Sequence, residues 1–336
     1  MKQYNNISLK PMHTFGVEVK CSQLFLIEDI SEIENCFNVK EPRLILGGGS
    51  NILFVRDFEG TVIRLDFKGI EKIEDNGTSV LLKVAAGVDW EELTNLALRY
   101  EYYGIENLAG IPGRVGSSPI QNIGAYGVEV KDVIEKVEGF YIDSGKPFTF
   151  ACADCAFDYR SSIFKTELHE KCLITYVYFR LSRIPKFTLS YQGLKEELAH
   201  RELPTTLKNV TDIILKLRNS KLPNIREIGS AGSFFKNPII EKKQLEVLQA
   251  KFPTLIHYPW HENKVKLAAA QLIDLCGWKG YRSGDAGVYP QQALVIVNYG
   301  NASGKEIQEL YQEIQYSVKE RFEIEIEPEV IIIKSK

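Results

Sequence analysis

Short apolar runs separated by glycine turns organise the first third of the chain. Leu24–Ile27, Leu44–Leu46, Val62–Leu65 and Val80–Val84 read as strands. The last runs into Ala85-Ala86-Gly87, after which Asp89 opens a predicted helix with Glu92 completing an Asp-type capping box. Trp90, Leu93, Ala97 and Tyr100 recur at about the helical period, and Gly104 is the expected stop. Residues 133–182 return to strand-like alternation and end in the apolar run Leu173–Leu181. A second helical stripe, Val210, Ile213, Ile214 and Leu217, predicts a helix over Leu207–Asn219. The turn-rich stretch from Ser220 to Ser230 then marks a domain boundary. Beyond it the pattern predicts helices near 241–251, 266–276 (with Gly277 past its end) and 303–321. Ser303 and Glu306 form a capping box for the last, and Ile307, Leu310, Ile314 and Val318 its apolar stripe. The chain closes on a β-rich tail, Ile324–Lys334. Helices and strands interleave without strict strand–helix alternation, which predicts an α+β fold rather than a doubly wound sheet.

Composition narrows this picture mostly by exclusion. A length of 336 residues allows two or three domains, and 44% hydrophobic with 25% charged residues is ordinary for a globular chain. Forty-one basic against 44 acidic residues leave a net charge of −3, without the basic surplus that general nucleic-acid binding requires. The first twenty residues contain no apolar signal core, and no stretch approaches the ~20 apolar residues of a membrane span. Six irregularly spaced cysteines fit reduced thiols better than a disulfide framework. The expectation is a soluble cytoplasmic protein.

Two glycine-rich loops are the first candidates for chemistry. Gly47-Gly48-Gly49-Ser50-Asn51 follows the strand Leu44–Leu46 directly. Consecutive glycines let backbone N–H groups close around an anion, with Ser and Asn adding donors, but the same run also suits a tight surface turn. The second loop runs from Gly110 to Gly127 and contains no acidic residue, which favours a phosphate or diphosphate ligand. Neither loop is a dinucleotide fingerprint: Ile52 occupies the third glycine position of G-x-G-x-x-G, and Gly110, Gly113 and Gly116 lack the tight Gly-x-Gly turn. No P-loop motif occurs.

Cys152, Cys155, His169 and Cys172 have ligand types that suit a structural zinc site. The residues between Cys155 and His169 belong to another motif, and Cys172 sits in an alternating strand as a small apolar residue, so no metal is expected.

Taken in order, several segments resemble the UDP-N-acetylenolpyruvoylglucosamine reductase family. They are Ser8–Gly16, Gly47–Asn51, Gly110–Gly127, Tyr159–Lys165, Ser220-Lys221-Leu222-Pro223, Gly232–Pro238, Gln291–Leu294 and Pro328-Glu329-Val330. The resemblance spans residues from about 8 to 333. It implies a vanillyl-alcohol-oxidase-type fold holding FAD between two α+β subdomains, plus a C-terminal α+β substrate domain. Residues 1–66 with the returning tail 323–336 are then the first FAD subdomain, 67–219 the second, and 220–322 the UDP-sugar domain. The implied reaction uses NADPH to reduce UDP-N-acetylglucosamine enolpyruvate to UDP-N-acetylmuramate in peptidoglycan precursor synthesis. The chain is expected to work as a monomer. Another FAD-dependent oxidoreductase of the same fold, acting on a small alcohol or sugar, is the alternative; the glycine loops hold no His or Cys for the covalent flavin link common in such enzymes.

The resemblance also implies roles for residues. Ser233 matches the proton donor, Arg160 the electrophile beside the substrate carboxylate, and Glu329 the active-site acid, with Glu327 a competitor two residues away. Read without the family, Ser233 fits a turn serine and Arg160 a surface ion pair with Asp158 or Glu167. Gly47, Gly48, Gly49, Ser50, Asn51, Ile111, Pro112, Gly116, Ser117, Ile120, Gly124 and Arg218 match positions around the cofactor. Tyr191 resembles the tyrosine that closes over the diphosphate in one subclass, with simple packing of a loop aromatic as the alternative. Lys221, Asn237 and Gln292 match diphosphate or uridine contacts. Two departures stand out: Ile331 replaces an arginine common after the acid, and Arg114 replaces a small residue inside the second loop.

Overall fold

The computed structural model describes residues 1–334. Its Cα packing divides into two compact units: Met1–Ile7, Cys21–Gly49 and Glu59–Asn219 form the first; Ser8–Lys20, Ser50–Phe58 and Ser220–Lys336 the second. Six α-helices occur among the described residues. They are α1 (Trp90–Arg99), α2 (Gln192–His200) and α3 (Leu207–Asn219) in the first unit, and α4 (Lys242–Lys251), α5 (Ala269–Leu275) and α6 (Gly304–Phe322) in the second.

The first unit is built on two sheets. A four-stranded sheet has the order Lys2–Ser8, Lys20–Ile27, Phe58–Leu65, Arg43–Ile45, with the last two strands parallel. An antiparallel five-stranded sheet has the order Pro147–Ala151, Ile134–Tyr141, Cys172–Ser182, Ser79–Ala85, Ile70–Asp75. Period-2 alternation gives the central strands one apolar face, which packs with Trp90 and Leu93 of α1 into the core. The other face is a ladder of rings and cations: Lys83 lies 4.2 Å from the Tyr176 ring centre, and Lys136 lies 4.1 Å from that of Tyr178. Helices α2 and α3 bury Leu194, Leu198, Val210, Ile213 and Ile214 in a smaller cluster of their own.

In the second unit, Gly229–Ser233, Val295–Asn298, Ala286–Val288 and Arg282–Ser283 form an antiparallel sheet. Helix α6 packs against it with Ile307, Leu310, Ile314 and Val318 buried, and the Ser303–Glu306 capping box is formed. A second antiparallel sheet joins Ile239–Glu241, Lys264–Leu267 and His257–Trp260. Ile331–Ile333 pairs in parallel with Ile52–Phe54, so the tail returns to the N-terminal part of the chain. The rest of the expected β-rich tail forms no strand; Ile324 and Ile326 are buried without a ladder.

Three local expectations change. Asp89 does stand at the N-cap of α1, but its side chain makes no capping hydrogen bond; Lys68 Nζ binds it at 2.9 Å, so charge pairing displaces the expected box. The helix ends at Arg99, before Gly104, and Tyr100 is exposed instead of joining the stripe. Residues 264–267 are a strand, and α5 starts only at Ala269, ending as expected before Gly277 at φ +84°.

Candidate active site

In the first unit the two glycine loops are pressed against each other. A Cβ on Gly48 would lie 2.7 Å from Gly113 Cα, and one on Gly47 would lie 3.1 Å from Ser117 Cβ. Gly116 is equally hemmed in, its missing Cβ falling 2.5 Å from that of Ala86, while its N–H donates to the Ala86 carbonyl at 3.0 Å. Only glycine permits this approach at Gly48 and Gly116. Ser117 Oγ donates to the Arg114 carbonyl at 2.8 Å, and Ile111 and Ile120 are half-buried beside the core. Arg114 is itself buried: it donates to the Leu65 carbonyl at 2.8 Å and forms an ion pair with Asp66. The large residue at this position therefore anchors the second loop to the strand Phe58–Leu65.

Arg218, at the end of α3, lies against Gly110; a Cβ there would come 3.3 Å from Arg218 Nε. Burial pushes its guanidinium below the ordinary arginine range, and the Tyr126 hydroxyl is the group that opposes this. Burial in turn pushes the Tyr126 phenol up to about 12. A desolvated cation beside a glycine loop, with no carboxylate among the groups that act on it, suits an anionic ligand. Loop packing and this cation together fit a dinucleotide diphosphate of the FAD type, without a dinucleotide fingerprint.

Arg160 sits in a reverse turn closed by reciprocal N–H···O bonds of 3.1 Å between Asp158 and Ser161. Its backbone takes φ +54°, a left-handed conformation uncommon for a non-glycine residue and enriched at functional sites. Its Nη2 donates to the Gly124 carbonyl at 2.9 Å, so the turn holds the guanidinium against the second loop. Two buried polar residues tie this turn to the loop: Asn122 Nδ2 donates to the Asp158 carbonyl at 3.1 Å, and Ser162 Oγ to that of Ile120 at 2.6 Å. Sequence reasoning did not single out either residue, although both lie in the motif segments. Tyr191 stands at the N-terminus of α2 with its ring edge-on to Tyr126, centres 4.9 Å apart. The first unit thus brings together Gly47–Gly49, Ile111, Gly116, Ser117, Ile120, Gly124, Arg160, Tyr191 and Arg218, with Pro112 half-buried in the same loop.

The second unit holds the rest, several of them bonded around Phe234. Ser233 is exposed at the end of the strand Gly229–Ser233, just after Gly232 at φ +72°. Phe234 is fully buried; its N–H donates to the Leu294 carbonyl and its carbonyl accepts from Glu329 N–H, both at 2.7 Å. Gln292 Oε1 accepts from Leu294 N–H at 3.4 Å. Asn51 Nδ2 donates to the Glu329 carbonyl at 3.2 Å, and Ile331 N–H to the Asn51 carbonyl at 3.0 Å. The tail acid and the end of the first glycine loop are therefore directly bonded, with Ser50 next to it in sequence. Glu327 is committed to an ion pair with Lys236 at 3.2 Å, and Ile331 takes part in the parallel strand pair. Asn237 Oδ1 caps α5 by accepting from Ala269 N–H at 3.0 Å, a structural use of half its amide. Lys221 lies half-buried on the turn that opens the second unit. The unit is anchored by its N-terminal segment: Ser230 N–H donates to the Thr14 carbonyl at 2.9 Å, and Asn298 Nδ2 to that of Phe15 at 3.0 Å.

Among the described residues no group of three His, Cys, Asp or Glu side chains could hold a metal ion. Cys155 and Cys172 are buried thiols pushed up to about 12 by desolvation, which opposes the thiolate that zinc requires.

Comparison with known proteins gives the class and the family. The FAD binding domain family matches residues 26–150, which makes the class that of an FAD-binding flavoprotein. The C-terminal domain of UDP-N-acetylenolpyruvoylglucosamine reductase matches residues 223–333. The reductase of that name from Amoebophilus asiaticus is 43% identical, over 99% of this chain and 100% of its own. The one from Flavobacterium johnsoniae is 42% identical, over 99% of this chain and 100% of its own. The crystal structure of the Thermus caldophilus reductase superposes with a TM-score of 0.69 at 26% identity, covering 99% of this chain and 98% of that one. The chain belongs to the UDP-N-acetylenolpyruvoylglucosamine reductase family, and its fold is the α+β, vanillyl-alcohol-oxidase-type fold expected from sequence.

Proposed function

We propose that the chain reduces the enolpyruvyl ether of UDP-N-acetylglucosamine enolpyruvate to the lactyl ether of UDP-N-acetylmuramate, with NADPH as reductant, in peptidoglycan precursor synthesis. When bound, FAD supplies the hydride drawn from NADPH. Hydride at the terminal vinyl carbon leaves carbanion character on the carbon beside the carboxylate, so the chain's residues must stabilise that charge and protonate it. Arg160, whose guanidinium is fixed by the Gly124 carbonyl, is the planar cation for the carboxylate. Ser233, exposed at a strand end, delivers the proton to the carbon. Glu329 assists polarisation from a tail held by Phe234 and Asn51.

Gly47–Asn51, Ile111, Pro112, Gly116, Ser117, Ile120, Gly124 and Arg218 hold FAD. Tyr191, Lys221, Asn237 and Gln292 hold the UDP-sugar. The reading divides the chain into a first FAD subdomain made of 1–66 and 323–336, a second over 67–219 and a UDP-sugar domain over 220–322; the parallel pairing of Ile331–Ile333 with Ile52–Phe54 fits the return of the tail to the N-terminal part of the chain. No helix among the described residues is long and apolar enough to cross a membrane, and the reading includes cytoplasmic location and a monomer.

The observation that carries the reading is the Glu329-to-Phe234 hydrogen bond, which ties the acid's backbone to the residue that follows the proton donor. Product analysis after anaerobic incubation with NADPH and the enolpyruvyl UDP-sugar tests it. UDP-N-acetylmuramate is the expected product, and no consumption of the sugar nucleotide by FAD-loaded protein would refute the assignment.

A further inference from the structure

Asn107 lies in a 3-10 turn, Glu106–Leu108, just ahead of the second glycine loop but in none of the motif segments, and its side chain is completely buried. Its Nδ2 donates two hydrogen bonds, to the Tyr126 carbonyl at 2.8 Å and to the Thr188 carbonyl at 2.9 Å. The Oδ1 is buried with no hydrogen-bond partner. A buried acceptor left without a donor is unfavourable, so this arrangement persists only because both carbonyls demand donors. Turning the amide over would set its oxygen against two carbonyl oxygens.

The two carbonyls belong to the two segments that meet at Tyr191. Tyr126 ends the second glycine loop in a left-handed conformation, φ +50°. Thr188 lies in the irregular stretch that leads into α2, whose N-terminal residue position is capped by Tyr191. The seam between them is tight at Gly127, φ +86°, where a Cβ would fall 2.7 Å from Ser190 Oγ and 3.4 Å from Thr188 Cγ2. Immediately beyond it the Tyr191 ring stands at 90° on the Tyr126 ring.

We infer that Asn107 is a positioning residue for substrate binding: its one amide group pins the 188–190 segment to the end of the glycine loop and so seats Tyr191 on Tyr126. The inference rests on the reading of Tyr191 as a contact to the substrate diphosphate. Asn107 touches neither substrate nor flavin in this account. It acts through the placement of the tyrosine.

The test uses the full-length FAD-loaded enzyme carrying Asn107→Leu, which keeps the branching at Cγ and removes both donors. Gly127→Ala attacks the same seam from the other side. Amide exchange over residues 188–195 should quicken in both variants, while the strand Cys172–Ser182 keeps its protection. The KM for the enolpyruvyl UDP-sugar should rise about tenfold, the scale of one lost hydrogen bond, with kcat, FAD content and the rate of flavin reduction by NADPH little changed. Unchanged exchange over 188–195 overturns the role of Asn107 and leaves Tyr191 to be judged by Tyr191→Phe alone. Faster exchange with an unchanged KM overturns the link to substrate, and an unchanged KM in Tyr191→Phe then removes the reading beneath it. Loss of protection throughout Cys172–Ser182 together with FAD release makes Asn107 a general core residue and also overturns the inference.

Discussion

Glu329 donates its backbone N–H to the carbonyl of Phe234 at 2.7 Å, and so the C-terminal tail is locked to the residue that follows Ser233. Two groups 96 positions apart in the chain are thereby held on adjoining backbone in one compact unit. A proton donor and a polarising acid require such fixed placement, because a misplacement of about 1 Å can slow a reaction about a hundredfold.

The first prediction concerns Ser233. Replacing it with alanine removes the proposed proton source and leaves Phe234 and its two backbone bonds in place. Oxidation of the reduced flavin by the enolpyruvyl substrate should slow by about 10²–10⁴-fold, the usual range for general acid catalysis. Flavin reduction by NADPH should stay within about twofold of the parent. Similar losses in both half-reactions would make Ser233 structural.

Glu329 and Glu327 give the second prediction. Glu327 pairs with Lys236 at 3.2 Å and its side chain is 74% exposed, so removing its charge should change stability by no more than about 1 kcal/mol. Glu327→Gln should therefore turn over normally, whereas Glu329→Gln should lower kcat with little effect on FAD content. Steady-state kinetics of the pair decide between them; a defect confined to Glu327→Gln would move the acid by two residues.

Arg218 supplies the third. Its buried guanidinium lies against Gly110, and burial disfavours its charged form, which an anion would restore. Arg218→Met should weaken FAD binding about 10–100-fold, as for one charge-assisted hydrogen bond, read by fluorescence titration of the apoprotein. An unaltered affinity would exclude Arg218 from the cofactor site.

The fourth is a pH effect on stability. His13 is buried, binds the Val17 carbonyl through Nε2 at 3.0 Å, and packs edge-on to Phe54 with ring centres 5.2 Å apart. Burial holds its imidazole below the ordinary value of 6.5. The unfolded chain therefore binds this proton first as pH falls, so the stability contribution is complete above about pH 6.5 and declines as pH drops toward and through the folded value. His13→Asn should flatten the fall in Tm between about pH 7 and 5 relative to the parent. Parallel Tm profiles would show that His13 does not titrate in this way.

Where sequence and structure agree, the cause is local. Helix α6 was legible because its capping box and its stripe from Ile307 to Val318 are short-range features, and α3 because its stripe falls on one face. Asp89 was misread because Lys68, 21 positions away, competes for its carboxylate. Helix α2 was missed: it is short and carries Gly193 at its start, where propensity argues against a helix. The alternating Glu-Ile-Glu-Ile-Glu tail has the pattern of a strand, yet Ile324 and Ile326 are buried without a ladder and the Ile326 carbonyl accepts from Gln315 Nε2 of α6 at 2.7 Å. At the site, the glycine loops were visible as motifs, but their mutual packing at Gly48 and Gly113 joins residues 65 positions apart. Asn107 bears no motif at all, since its two acceptors lie 19 and 81 positions downstream.

The proposed reaction passes reducing equivalents from NADPH through FAD to an enolpyruvyl UDP-sugar. Stopped-flow absorbance of the flavin under anaerobic conditions tests it in two mixing steps. NADPH should bleach the flavin and the enolpyruvyl UDP-sugar should then restore its colour, with the second step alone slowed in Ser233→Ala. A reduced flavin that stays bleached with the sugar nucleotide, and regains colour only with oxygen, would contradict it.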